Sequence, residues 1–279
     1  MRLDGRTAVV TGAGGGIGAA IATALADRHA RVVVADLDEA AARRTTAAIT
    51  ARHPQAAVGV AGDVADPAVI ATLIDTAART FGPVELYFAN AGVMGAPDLA
   101  DDDAWDRVLE VNVRAHIRAA RQLVPGWVQR GEGYFITTAS AAGLLTQIGA
   151  AGYAVSKHAA VGFAEWLAVT YGDRGVRVSC LCPMGVDTAM LDVDDSPADP
   201  RAATAIRAVT AAGAVLGADQ VAREVLAAIE RERFLILPHP EVAAMFAQKA
   251  SDYDRWLRGM RRYRASLQTI GDRTGGHRE

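Results

Sequence analysis

The stretch Thr7-Ala-Val-Val-Thr11-Gly-Ala-Gly-Gly-Gly16-Ile-Gly18 decides how the rest of the chain is read. A short apolar, β-branched run with no polar face passes directly into a cluster of glycines, and an Ala-rich segment of helical period, Ile17–Arg28, follows. A strand that is apolar on both faces is covered on both faces, which is the situation of a parallel sheet. Outward from it the alternation repeats. Strands are predicted at Arg31–Ala35, Ala57–Ala61, Val84–Ala89, Gly133–Thr138, Val176–Leu181 and Arg233–Leu237. Helical patterns at Glu39–Arg52, Pro67–Phe81, Ala104–Arg130, Gly152–Tyr171 and Asp219–Arg231 separate them. Parallel neighbours need a crossover, and the crossover is a right-handed helical one. The prediction is one doubly wound, Rossmann-like α/β domain over residues 1–240, with a mainly parallel seven-stranded sheet, and a C-terminal helical extension over 241–279.

Composition narrows the classes of function. Of 279 residues, 51% are hydrophobic and 22% charged, which excludes disordered and collagen-like chains. Lys plus Arg number 29 against 32 Asp plus Glu, so no global positive field attracts nucleic acid, and no nucleic-acid partner is expected. The cysteines, Cys180 and Cys182, share one strand face and read as buried thiols. The apolar run near Met1 is too short and too charged for a signal peptide, so a cytoplasmic, reducing setting is expected. The six histidines show no metal-ligand spacing, and no metal is assigned.

Glycines in the slot between a first strand and a first helix let the backbone approach a pyrophosphate, which the helix N-terminus then stabilises. Gly12, Gly16, Ile17 and Gly18 are the residues so placed, at a spacing that is not the G-x-G-x-x-G fingerprint. Asp36 stands at the end of the second strand, 20 residues past Gly16. A carboxylate there accepts ribose hydroxyls and repels a 2′-phosphate, which selects NAD over NADP; a solvated Asp opening the next helix is the alternative. Later in the chain, Ser140 ends the fifth strand, and Tyr153-Ala-Val-Ser-Lys157 opens a long helix 13 residues further on. Positions i and i+4 share a helix face, so the phenol and the ammonium project together, and a cation beside a tyrosine lowers its pKa.

The ordered set of glycine loop, Asp36, Asn90-Ala91-Gly92, Asn112, Ser140, Tyr153 and Lys157 resembles the short-chain dehydrogenase/reductase family over residues 5–190. The resemblance implies a hydride-transferring enzyme. Tyr153 would be the general acid/base, Ser140 would orient the reacting oxygen, and Lys157 would hold the nicotinamide ribose and depress the Tyr153 pKa. Asn112 would hold a water linking Lys157 to solvent. Asp63-Val64 looks like the family's adenine-contacting pair, with Ala89 where the family doubles the asparagine before Asn90. Pro183 and Thr188 match its segment after the sixth strand, whereas Met184 replaces the usual glycine and Gly185 lies one place late.

By the same analogy Met94, Leu145, Met184 and Gly185 line the substrate pocket, with a lid at about 189–215 that carries Asp192, Asp194 and Asp195. The mostly apolar set points to a neutral, hydrophobic secondary alcohol or its ketone. The alternatives are an NADPH-dependent 3-oxoacyl-type reductase and a non-catalytic NAD-binding regulator. A homotetramer or homodimer through helices 104–130 and 152–171 is expected. The basic, aromatic segment Glu241–Ser266 either packs on a protein surface, which is the preferred reading, or lies on a membrane, with Gly271–Glu279 frayed beyond it.

Overall fold

The computed structural model describes residues 1–191 and 200–275. Seven parallel strands form one sheet: β1 (Thr7–Thr11), β2 (Arg31–Asp36), β3 (Ala57–Ala61), β4 (Leu86–Ala89), β5 (Gly133–Thr138), β6 (Val176–Leu181) and β9 (Leu235–Ile236), in the order β3-β2-β1-β4-β5-β6-β9. Every pairing is parallel, with Val10 beside both Val34 and Phe88. Helices α1 (Gly16–Ala26), α2 (Glu39–Arg52) and α8 (Ala218–Glu230) cover one face, and α3 (Pro67–Thr80), α5 (Ala115–Arg130) and α6 (Ala151–Tyr171) the other. The predicted doubly wound architecture is the one observed.

Local chemistry sets the helix ends. Asp38, Asp66 and Asp101 each accept an N–H of the first turn they cap, in α2, α3 and α4 (Asp102–Leu109). Gly131, at φ 71°, stops α5 in the left-handed region. The predicted helix 104–130 is not continuous: a π-helical turn, Glu110–Arg114, separates α4 from α5. The extra residue rotates Asn112 inward, where it is fully buried.

Two short strands that were not predicted, β7 (Val186–Asp187) and β8 (Leu216–Gly217), pair and bracket α7 (Pro200–Thr210). Residues 192–199 of the predicted lid, with Asp192, Asp194 and Asp195, lie outside the described residues. The predicted helical extension divides into α9 (Glu241–Ser251) and α10 (Tyr253–Gly275). The break is at Asp252, which is extended and whose carboxylate accepts the Arg255 N–H. The segment from Gly271 was expected to fray, but α10 is helical through Gly275; residues 276–279 lie outside the described residues. Lys249 lies in the basic segment that was expected to pack on a protein surface. It is 5% exposed and donates to the carbonyls of Leu144 (2.7 Å) and Leu145 (2.9 Å), so the extension is packed on the domain. On the outer surface of α6, Trp166 and Val169 stand exposed in the region assigned to self-association. Among the described residues no helix is long and apolar enough to cross a membrane.

Trp127, fully buried, packs edge-on against Phe135 and donates from Nε1 to the Val84 carbonyl at 2.8 Å. Trp127→Ala is expected to lower the unfolding free energy by about 3–5 kcal/mol. Urea denaturation measures this, and a loss below about 1 kcal/mol would contradict the packing described.

Candidate active site

A cavity of about 430 Å³ opens at the C-terminal ends of β1, β4, β5 and β6, where an open α/β sheet binds its ligand. Gly12, Gly16, Ile17 and Gly18 form one wall. A Cβ on Gly18 would stand 2.1 Å from the Gly12 carbonyl oxygen, so only glycine lets α1 start this close to the loop. The helix begins at Gly15 with no side-chain cap, which leaves first-turn N–H groups for an anion. Gly14, which the sequence reading passed over, donates its N–H to Asp36 Oδ2 at 2.8 Å, and a Cβ there would meet that carboxylate at 2.8 Å. The other Asp36 oxygen accepts the Asp38 N–H at 3.0 Å. Asp36 is therefore a fixed carboxylate lining the cavity, and the capping role belongs to Asp38. These features fit the adenosine and pyrophosphate of a dinucleotide.

Asp63, Val64, Asn90, Ala91 and Gly92 line the next part. Burial pushes the Asp63 carboxyl up, but the Ala65 N–H and the Arg107 guanidinium outweigh it and hold it below the usual range. Arg107, which the motifs did not point to, lines the cavity with its charge committed to Asp63 at 2.7 Å. Asn90 joins three strand ends: Nδ2 donates to the Thr11 carbonyl at 2.9 Å, and Oδ1 accepts from Thr138 at 3.1 Å.

Ser140, Tyr153 and Lys157 line the same cavity. Lys157 Nζ donates to the Thr138 carbonyl at 2.9 Å and lies 5.6 Å from the centre of the Tyr153 ring. Burial lowers the ammonium pKa to about 8. The phenol does not follow the predicted direction in this state. Burial raises the Tyr153 pKa, a hydrogen bond with Ser140 partly offsets it, and Lys157 gives one of its three donors to the backbone of Thr138. Asn112 does not line the cavity. Its Oδ1 accepts the Val93 N–H, and Nδ2 donates to the Val93 carbonyl and Ser156 Oγ, so the side chain clamps the loop after β4 to α6.

Met94, Pro183, Met184 and Thr188 line the cavity, but two of the predicted pocket residues do not. Leu145 faces a separate cavity, and Gly185 turns its carbonyl to the Leu216 N–H at 2.9 Å, serving the β7–β8 pair. His239, 1% exposed and absent from the motif reading, holds this departure from the family pattern in place. Its Nδ1 accepts the Met184 N–H at 3.1 Å, which leaves Nε2–H for the Gly185 and Ala214 carbonyls at 3.1 and 3.2 Å. Cys180 and Cys182 are free, buried and 3.7 Å apart; their contact and burial push the Cys180 thiol well up.

A parallel sheet that brings a glycine-rich loop, a fixed carboxylate and a Ser, Tyr, Lys cluster into one crevice fits an oxidoreductase of the nicotinamide-dependent class. The short chain dehydrogenase model matches residues 6–198, and the chain belongs to that family, whose members act on CH–OH groups. It is 39% identical over 231 residues to a 1-deoxy-11-beta-hydroxypentalenate dehydrogenase of Streptomyces exfoliatus, covering 79% of this chain and 82% of that one. It is 32% identical to a cyclohexanol dehydrogenase of Acinetobacter sp. (strain SE19), covering 68% and 76%. A short chain dehydrogenase/reductase from Burkholderia phymatum, solved in complex with NAD, superposes with a TM-score of 0.83 at 34% identity, covering 91% of this chain and 96% of that one.

One buried group beside this site ties stability to pH. His116 in α5 is fully buried, and neither ring nitrogen has a partner among the described residues. Burial, with the Lys157 charge adding to it, lowers its pKa to about 3. Between about pH 6.5 and 3 the unfolded chain binds a proton there that the folded chain does not, so acidification through this window costs stability, at about 1.4 kcal/mol per pH unit from this group. His116→Gln is expected to flatten the fall in unfolding free energy across that window. Equal slopes for the two proteins would contradict the burial of a neutral imidazole.

Proposed function

We propose that the protein is an NAD-dependent dehydrogenase that interconverts neutral, hydrophobic secondary alcohols and their ketones. The observation that carries this reading is that Asp36, the glycine loop, Ser140, Tyr153 and Lys157 all line one cavity. NAD as cofactor rests on Asp36. Each of its oxygens is held by one backbone N–H and keeps lone-pair capacity for a ribose hydroxyl, while its fixed charge opposes a 2′-phosphate. Leu37, at the same end of the cavity, carries no charge, and Arg107 is neutralised by Asp63. A neutral substrate rests on the apolar side chains of Val93, Met94, Met184, Met190 and Val209 in the lining, and on similarity to the pentalenate and cyclohexanol enzymes.

Bound in this crevice, NAD supplies the hydride acceptor for the carbinol carbon. The chain supplies position and proton handling. The loop and the start of α1 would hold the pyrophosphate, and Lys157 would hold the nicotinamide ribose. Ser140 would donate to the substrate oxygen and orient it, and Tyr153, as the phenolate, would take the hydroxyl proton in oxidation and, as the phenol, return it in the reductive direction. Because burial raises the Tyr153 pKa, the Ser140 hydrogen bond and the Lys157 charge must together offset desolvation for this to run near neutral pH. Asn112 acts from behind, keeping the Val93 loop and α6 in register.

Tyr153→Phe removes the proton acceptor and nothing else of the cavity wall. Alcohol-dependent NADH formation is expected to fall by about 10²–10⁴-fold, with NADH affinity retained. Turnover within about twofold of the unmodified protein would remove Tyr153 from the chemistry.

A further inference from the structure

A second cavity, of about 700 Å³, lies beyond the cofactor crevice. Its walls come from parts that the repeating strand-helix pattern does not contain: the loop Ala141–Ile148, α7, and both helices of the C-terminal extension. Gln147, Met184 and Val209 line both cavities, so these three side chains are the partition between them. From α10 come Trp256, Gly259, Met260 and Tyr263, at helical spacing, with Arg255 and Arg262 on either side of them. Leu267, one turn further on, is 1% exposed, whereas Trp256, Gly259, Met260 and Tyr263 remain partly accessible, because they face open space.

The walls are braced by polar contacts. Lys249 Nζ, bonded to the Leu144 and Leu145 carbonyls, lies 5.3 Å from the Tyr253 ring centre and 5.1 Å from that of Trp256, which ties α9, α10 and the loop after Ser140 together. Tyr263 Oη donates to the Ala208 carbonyl at 2.9 Å, and Gln147 Nε2 to that of Ala205 at 3.0 Å, which fixes α7 to both sides. Protein interiors tolerate few voids, because unfilled space forfeits dispersion contacts. A braced chamber of this size falls within the roughly 300–1,000 Å³ that takes a drug-sized ligand. Met184, Met245 and Met260 give it adaptable walls.

We propose that this chamber receives the apolar body of the substrate, and that the substrate is a fused-ring or comparably bulky alicyclic secondary alcohol whose carbinol end passes the partition to reach Tyr153. The proposal rests on the dehydrogenase reading of the first cavity. A single-ring alcohol would leave the chamber empty. Met184, which stands where the family pattern has glycine, is unbranched and serves as the movable part of the partition, with its backbone anchored on His239.

Gly259 provides the test. A Cβ there meets only the Arg262 guanidinium, at 3.9 Å, so Gly259→Phe places a ring in the chamber from a helix position that gains helix propensity. NADH formation from NAD⁺ is followed with cyclohexanol and with a 3-hydroxysteroid, in the unmodified protein and in Gly259→Phe with its melting temperature checked. The ratio of kcat/KM for steroid over cyclohexanol is expected to fall at least about tenfold, mainly through the steroid KM. An unchanged ratio in a folded variant overturns the proposal. A binding measurement separates this from failure of the enzyme reading: the steroid is expected to quench the fluorescence of Trp256 saturably, as judged against Trp256→Phe, and Gly259→Phe is expected to abolish that quench. No turnover of either alcohol, with this quench present, rejects the dehydrogenase reading and keeps the chamber as a site. Absence of the quench overturns the chamber itself.

Discussion

The side chain of Asn90 spans the point at which the sheet changes direction. Strands run outward from β1 through β2 and β3 on one side and from β4 on the other, so the helices after β1 and β4 leave on opposite faces and a crevice opens between them. At that point Asn90 reaches the Thr11 carbonyl and the Thr138 hydroxyl, while the Asn90 and Ala91 N–H groups share Thr11 Oγ1. Three strand ends are thereby held at one level. The glycine loop leaves from the first and Ser140 follows the third. Lys157 is anchored to the Thr138 carbonyl, so the proton-transfer cluster is referenced to the same knot.

Two buried lysines divide the work around Ser140. Lys157 enters from α6 on the cofactor side, and Lys249 enters from the C-terminal extension and takes the Leu144 and Leu145 carbonyls. Each gives its charge to backbone oxygens that would otherwise be unpaired or solvated, which is how a cation is tolerated inside a protein. The extension is thus packed on the domain, against the loop that follows Ser140.

The fold was largely legible because strands apolar on both faces, Asp and Gly punctuation and Ala-rich helices all agree locally with the parallel architecture. Most of the residues that line the crevice were legible for a related reason: strand ends of a parallel sheet converge, so residues just after β1, β2, β4, β5 and β6 must meet. What escaped depends on geometry that periodicity does not carry. A π-helical turn adds one residue without altering composition, so the helix 104–130 read as continuous. Leu145 and Gly185 were assigned by analogy; Leu145 lines the second cavity and not the cofactor crevice, and the backbone of Gly185 serves the β7–β8 pair. His239 and Lys249 act across 55 and 104–105 residues of separation, and no local pattern marks them. The direction of the Tyr153 shift failed because i, i+4 spacing sets proximity to Lys157 and says nothing of how fully the phenol is desolvated.

The central claim is that a fixed carboxylate at the end of β2 commits this crevice to NAD for oxidation of a secondary alcohol. The most direct test is kcat/KM for NAD⁺ and for NADP⁺ with one saturating alicyclic alcohol. The account predicts turnover with a preference for NAD⁺ on the order of 100-fold, the price of a 2′-phosphate against Asp36. Equal use of the two cofactors, or preference for NADP⁺, would contradict it.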